Sequence, residues 1–333
     1  MVSREMPELV QSVVEQYLLD GGRRYNRNDV VERSGVPPEV TTRLWVALGF
    51  PTGGDETELD YTEADIAALR DFRDIRVLAE TDIRRQAATA RTIGQTMARL
   101  AEWQVDLVLD EITRRISEAA PDADPAEVAK SATEATVAVL ERLQVYAWRR
   151  HLDAALSRTL DGAGTGEDST RVLAVGFADM VGYTRLTRHL HPDELSTLLE
   201  AFETTTTAAI TENGGWVIKN VGDEVMFAAE TAVQAARIAL DIQETTMTVD
   251  TTPELRVALA YGPVLQRFGD LYGSVVNMAA RLTGVARPGT VLIDDGAAAE
   301  LAGDPEFSIK HLRSVRVRGF NRLRPHVLRP ARP

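Results

Sequence analysis

Two aspartates stand where a chain can bring carboxylates to one point. Asp179 closes the apolar run 172–178, which is broken only by Gly176, and Gly182 follows before a new amphipathic stretch. Asp223 lies in the turn Val221-Gly222-Asp223 of the segment KNVGDEVMF. Alone, Asp179 reads as a helix-capping aspartate and Asp223 as a turn residue. Together they offer two hard oxygen ligands with room for water and phosphate, the arrangement that suits Mg²⁺ or Mn²⁺ in phosphoryl chemistry.

The elements around these residues must bring them together. The run 172–178 is β-branched and bounded by a turn signal, which predicts a buried strand. Helices follow at 183–189 and 192–213, then a hairpin of 216–220 and 224–229, a helix over 232–247 and a strand over 255–261 ended by Gly262-Pro263. A loop at 266–273, a helix at 274–285, a strand at 290–293 and antiparallel strands over 306–329 complete this half. The order β-α-ββ-α-β is the ferredoxin-like pattern, in which the first strand and the central hairpin are neighbours. Asp179 and Asp223 then reach the same edge of the sheet.

Residues 1–124 read as a helical domain. Ile93, Met97, Leu100, Trp103, Leu107, Val108 and Ile112 fall into stripes expected to face a core. Residues 125–170 read as a linker helix followed by a flexible, glycine-containing linker. The segments DVVERSGVPPEVTTRLWVALGFP and YTEADIAAL, within 28–70, resemble a MerR-type helix-turn-helix head. Its second helix is poorly basic, so DNA reading is not the expectation.

Composition narrows the class. The chain has 333 residues, 44% of them hydrophobic, and a formal charge of −13 from 37 basic and 50 acidic side chains. That length allows two domains. The acidic balance argues against general binding of nucleic acid or anionic membrane. There are no cysteines, hence no disulfide or thiolate chemistry, and no apolar run long enough to span a bilayer. The expectation is a soluble cytoplasmic protein without a transmembrane segment.

FADMVGYTRL, KNVGDEVMF and GDLYGSVVNMAARLTG, in that order, resemble the class III nucleotidyl cyclase catalytic domain from Arg171 to about Arg329, within a catalytic domain expected over 171–333. The helical half resembles, more loosely, the autoinhibitory half of bacterial class III adenylyl cyclases regulated by pH. The resemblance implies an α+β catalytic domain preceded by an all-α regulatory one, and conversion of ATP to 3′,5′-cyclic AMP and pyrophosphate at the interface of a homodimer. It implies that Asp179 and Asp223 bind two divalent cations, Mg²⁺ or Mn²⁺. It makes Arg281 the transition-state arginine and Asn277 the ribose-positioning asparagine. Lys219 and Asp270 match the family's adenine-reading pair, and Arg318 sits near the place of a triphosphate-binding cation. A lysine donor and a carboxylate acceptor complement the N1 and 6-amino edge of adenine, whereas guanine reverses that pattern.

Three other readings use the same residues: a nucleotide-binding sensor without turnover, a cyclase of dinucleotides suggested by VGDEV, and a transcription regulator using 28–70. The NMAAR helix weighs against the second. All five histidines lie after residue 150. If the chain responds to pH, His151 in the linker helix is the first candidate sensor.

Overall fold

The apolar run carrying Asp179 is the central strand β1 (Ser169–Met180) of an eight-stranded sheet. In the computed structural model, described over residues 10–11, 13–19, 21–51, 57–75, 83–161, 169–248, 253–317 and 320–331, the chain divides into two compact units, Met1–Leu156 and Ser157–Pro333.

In the second unit β1 is followed by the short α6 (Tyr183–Leu186) and by α7 (Pro192–Glu212), whose entry is capped by Glu194 accepting from the His191 N–H. The hairpin β2 (Trp216–Val221) and β3 (Glu224–Ala229) comes next, then α8 (Ala232–Thr248) and β4 (Leu255–Arg267). The order β2-β3-β1-β4 is the expected ferredoxin-like core. β5 (Asp270–Tyr272) folds back on β4, α9 (Ser274–Val285) follows, and β6 (Thr290–Ile293) lies parallel to β4. After α10 (Asp295–Glu300), β7 (Phe307–His311) and β10 (His326–Pro330) extend the sheet, while β8 (Val315–Val317) and β9 (Phe320–Leu323) pair separately.

Alternation along β1 separates two cores. Ala174, Ala178 and Met180 pack with Phe202, Ile210, Ile238 and Ile242 of α7 and α8. Leu173, Val175 and Phe177 pack with Val275 and Ala279 of α9 on the other face. Each fully buried large side chain contributes roughly 1.5–3 kcal/mol. Gly176, the one break in the run, is required by its neighbour: a Cβ there would lie 2.1 Å from the Phe227 ring, which covers it from the paired position on β3.

β4 does not stop at Gly262-Pro263, as the turn signal implied. It runs on to Arg267, with Gly262 opposite Leu173 and Pro263 opposite Val172. β3 reaches only Ala174 of β1, so the first half of β1 takes its partner from this extension. β6 has left β4 beyond Leu259, and a proline is tolerated on a strand paired on one flank only. The expected loop at 266–273 is likewise a tight β4–β5 hairpin. Phe268 (φ 50°) and Gly269 (φ 78°) form its turn, both in the left-handed region that a two-residue hairpin loop needs.

In the first unit, α1 (Arg27–Ser34) begins at Asn26, which forms a capping box with Asp29, and ends at Gly35. α2 (Pro38–Leu48) starts on a proline and α3 (Glu63–Asp74) on Thr62 with Asp65. They enclose Val30, Leu44, Trp45, Ile66 and Leu69, with Ala87 and Ala90 from α4 (Ile83–Glu118). Gly94 lets α4 lie against the end of α2: a Cβ there would fall 2.2 Å from the Leu48 carbonyl oxygen.

The stripe expected to face a core on α4 is mostly uncovered. Ile93, Met97, Trp103 and Leu107 are exposed and Leu100 and Val108 half-buried, whereas Ile112 packs on Ala129 and Ala132 of α5 (Pro125–Asp161). A helix of 36 residues spans about 54 Å, and the small clusters at its two ends do not reach its middle. α5 leaves Val139, Leu143, Tyr146, Trp148, Leu152, Leu156 and Leu160 exposed as well. No helix among the described residues is long and apolar enough to cross a membrane.

Candidate active site

β1 and β3 place the two aspartates. Their register puts Asp179 opposite Glu224, one residue beyond Asp223, and the Met180 N–H donates to the Asp223 carbonyl at 3.0 Å. The hairpin turn therefore folds over the end of β1. Gly222, with φ 61°, makes that turn possible.

The charges at this end are coupled. Burial pushes the Asp223 carboxyl above the usual carboxylate range, and the charge of Asp179 adds to it; a backbone hydrogen bond and Arg256 pull the other way. Glu224 is raised too, by burial first and then by Asp179 and Asp223, against the opposing charges of Arg256 and Lys219. On the other flank of β1, Arg256 of β4 stands opposite Asp179, and its Nη2 donates to the Asp179 Oδ2. Two hard carboxylates with a third beside them, two of them held above their ordinary range, form a site that gains from a divalent cation. Among the described residues no cluster of three His, Cys, Asp or Glu forms a ready cage. Mg²⁺ is commonly held without one, by one or two carboxylates completed by substrate phosphates and water, and this donor set fits that mode.

Lys219 and Asp270 also meet. A bulge between Val217 and Lys219 shifts the β2 register and sets Lys219 opposite Met226, which packs on the α9 side. Lys219 Nζ then donates to Asp270 Oδ2 at 2.6 Å, while the other Asp270 oxygen accepts from the Leu271 N–H at 2.8 Å. The lysine retains two further donors, so the pair can still present a donor and an acceptor to a ligand edge.

Asn277 and Arg281 lie one turn apart on α9. The helix buries Val275, Ala279, Leu282 and Thr283 and leaves both functional candidates exposed. Among the described residues neither makes a side-chain hydrogen bond or ion pair. Arg318 lies outside the described residues. His151 is exposed on α5, and the buried histidine is His326, between His311 and Asp295.

Sequence reasoning missed Glu224 and Arg256. Both had a signal: each is a charge at the head of an otherwise apolar strand, EVMFAA and LRVALAYG. Such a charge needs a partner when the strand is central.

Residues 167–330 match the family model described as the adenylate and guanylate cyclase catalytic domain. An adenylate cyclase of Streptomyces coelicolor is 41% identical over 295 residues, covering 86% of this chain and 74% of that one. An adenylate cyclase of Glutamicibacter nicotianae is 33% identical over 341 residues, covering 97% of this chain and 83% of the relative. The crystal structure of the adenylyl cyclase CyaB from P. aeruginosa aligns with 50% of this chain and 98% of its own, at 20% identity and a TM-score of 0.46.

Proposed function

The chain belongs to the class III nucleotidyl cyclases, and we infer that it is an adenylyl cyclase, converting ATP to 3′,5′-cyclic AMP and pyrophosphate. The observation that carries this reading is the convergence of Asp179 and Asp223 at one sheet end, in a surplus of negative charge. Asp179 and Asp223 would hold the two divalent cations. When bound, these supply Lewis acidity at the α-phosphate and make the ribose 3′-hydroxyl a better nucleophile.

The remaining groups belong to this chain. Lys219 donates to adenine N1 and Asp270 accepts from the 6-amino group, and their 2.6 Å contact holds both in one place. Asn277 orients the ribose. Arg281 meets the charge that grows on the phosphoryl oxygens as pyrophosphate leaves. Arg318 is assigned to the triphosphate by the resemblance alone.

Two copies of the chain share each site: one brings the aspartates, the other Lys219, Asp270, Asn277 and Arg281. Support comes from the exposure of Asn277 and Arg281 and from their lack of side-chain partners among the described residues. An isologous pair would carry two equivalent sites. Residues 1–124 form the regulatory part and 125–170 the connection. The exposed face of α2 carries Arg43 as its only base, which gives a DNA-reading role no support.

The test is product formation by the purified chain with Mn²⁺ and either ATP or GTP. Cyclic AMP should form, with ATP preferred by at least about 10²-fold, as expected when the hydrogen-bonding groups of a site mismatch the wrong base. Absence of cyclic AMP, or equal use of GTP, contradicts the reading.

A further inference from the structure

Glu224, Asp179 and Arg256 occupy one row across β3, β1 and β4. Cross-strand partners share a face, and this row lies on the α9 side, in phase with Phe177, Met226 and Ala258. The row sets one cation beside three carboxylates, counting Asp223 in the adjoining turn. Arg256 donates through Nη2 to Asp179, yet its Nε is buried without a partner. A buried donor left unmade is costly, and among the described residues it is the one such side-chain atom. The guanidinium is thus engaged by a single carboxylate oxygen, and its buried Nε by none.

We propose that Arg256 is a positioning residue that stands in for the divalent cation. It neutralises and orients Asp179 in the metal-free chain and gives that carboxylate up when metal binds. The inference rests on the metal-site reading above. Its physical basis is competition: a metal approaching Asp179 meets a positive charge already on its ligand, and must displace it. Arg256 therefore lowers the resting affinity for metal. Occupancy of the site then depends on the charge that a nucleotide triphosphate brings with it, which couples metal loading to substrate.

The experiment measures Mn²⁺ binding to the full chain without nucleotide, by the EPR signal of free Mn²⁺, beside the melting temperature with and without Mn²⁺. Arg256→Gln should bind Mn²⁺ more tightly than wild type by about tenfold, the scale on which groups contacting a metal ligand move its affinity. It should also melt lower without metal and gain more from Mn²⁺. Arg256→Lys keeps the positive charge and should keep the wild-type affinity. Equal or weaker Mn²⁺ binding by Arg256→Gln overturns the proposal.

Should that variant not fold, the wild-type chain still decides. A slowly exchanging Arg256 guanidinium resonance should be present without Mg²⁺ and lost on saturation with it, and its persistence counts against the proposal. Asp179→Asn serves as the control for the underlying reading. If wild type and Asp179→Asn bind Mn²⁺ equally, the metal site itself is misplaced, an outcome distinct from failure of the Arg256 role.

Discussion

β1 carries an arginine–carboxylate pair at each end, and the two pairs are built differently. At the start of the strand, Arg171 is 8% exposed and Glu230 34%. Its Nη2 donates to both Glu230 oxygens, at 2.8 and 2.9 Å, and to the Arg158 carbonyl at 3.2 Å. Arg158, from the last turns of α5, in turn stacks on the Trp216 ring. At the far end, Arg256 is 32% and Asp179 16% exposed, the pairing is through one oxygen, and the Arg256 Nε has no partner. The first pair is satisfied and closes the strand's beginning. The second is left short of partners, beside two carboxylates held above their ordinary range. Hydrogen-bond satisfaction thus separates the two ends of the strand.

The largest expected effect is at the far end. Asp179→Asn or Asp223→Asn should lower turnover by more than about 10³-fold, beyond the 10²–10³ that loss of one transition-state donor costs. Metal-free melting of Asp223→Asn should not fall, because burial penalises its charge. Arg281→Ala should lose about 10²–10³-fold in turnover, with its melting temperature unchanged. Arg171→Met inverts this pattern. It should cost about 3 kcal/mol of stability in denaturant melts, the low end for breaking a buried pair because Glu230 still reaches water. Its turnover per folded molecule should stay within about threefold of wild type, since no step of the reaction touches Arg171. A stable but inactive Arg171→Met would erase the distinction between the two ends.

The smallest effect is in the pH dependence of stability. Burial and neighbouring charge raise the Asp223 and Glu224 carboxyls in the folded chain. A raised carboxyl binds more protons folded than unfolded, so stability falls as pH rises from the ordinary carboxylate range to just above it, and the loss is complete beyond. Glu224→Gln removes its share. Its metal-free melting should decline less steeply with pH across that window than wild type, and an identical slope would remove Glu224 from the charged cluster.

Much of this was legible in the sequence, and the parts that were not have physical reasons. Periodicity and turn residues gave β1, the hairpin carrying Asp223, and the helix carrying Asn277 and Arg281, because each is bounded by local signals. The β2 bulge that aims Lys219 is a property of pairing, and no residue type announces it. Phe268 at positive φ hid the β4–β5 hairpin, since the usual Asn-Gly or Asp-Gly signal is missing. Arg256 was passed over because its partner is a cross-strand neighbour distant in sequence. On α4, Ile93, Met97 and Trp103 do recur at helical spacing, yet they are exposed. Periodicity says which side chains share a face, not what covers it.

The central claim is that two copies of this chain build each site together. Asp179→Ala and Arg281→Ala, each nearly inactive alone, should be mixed under conditions in which subunit exchange is demonstrated. A mixed pair then has one site with both lesions and one with neither. With random pairing, activity should return to about a quarter of wild type by symmetry alone. Exchange without recovery would mean that the aspartates and Arg281 act within one chain, and would contradict the shared site.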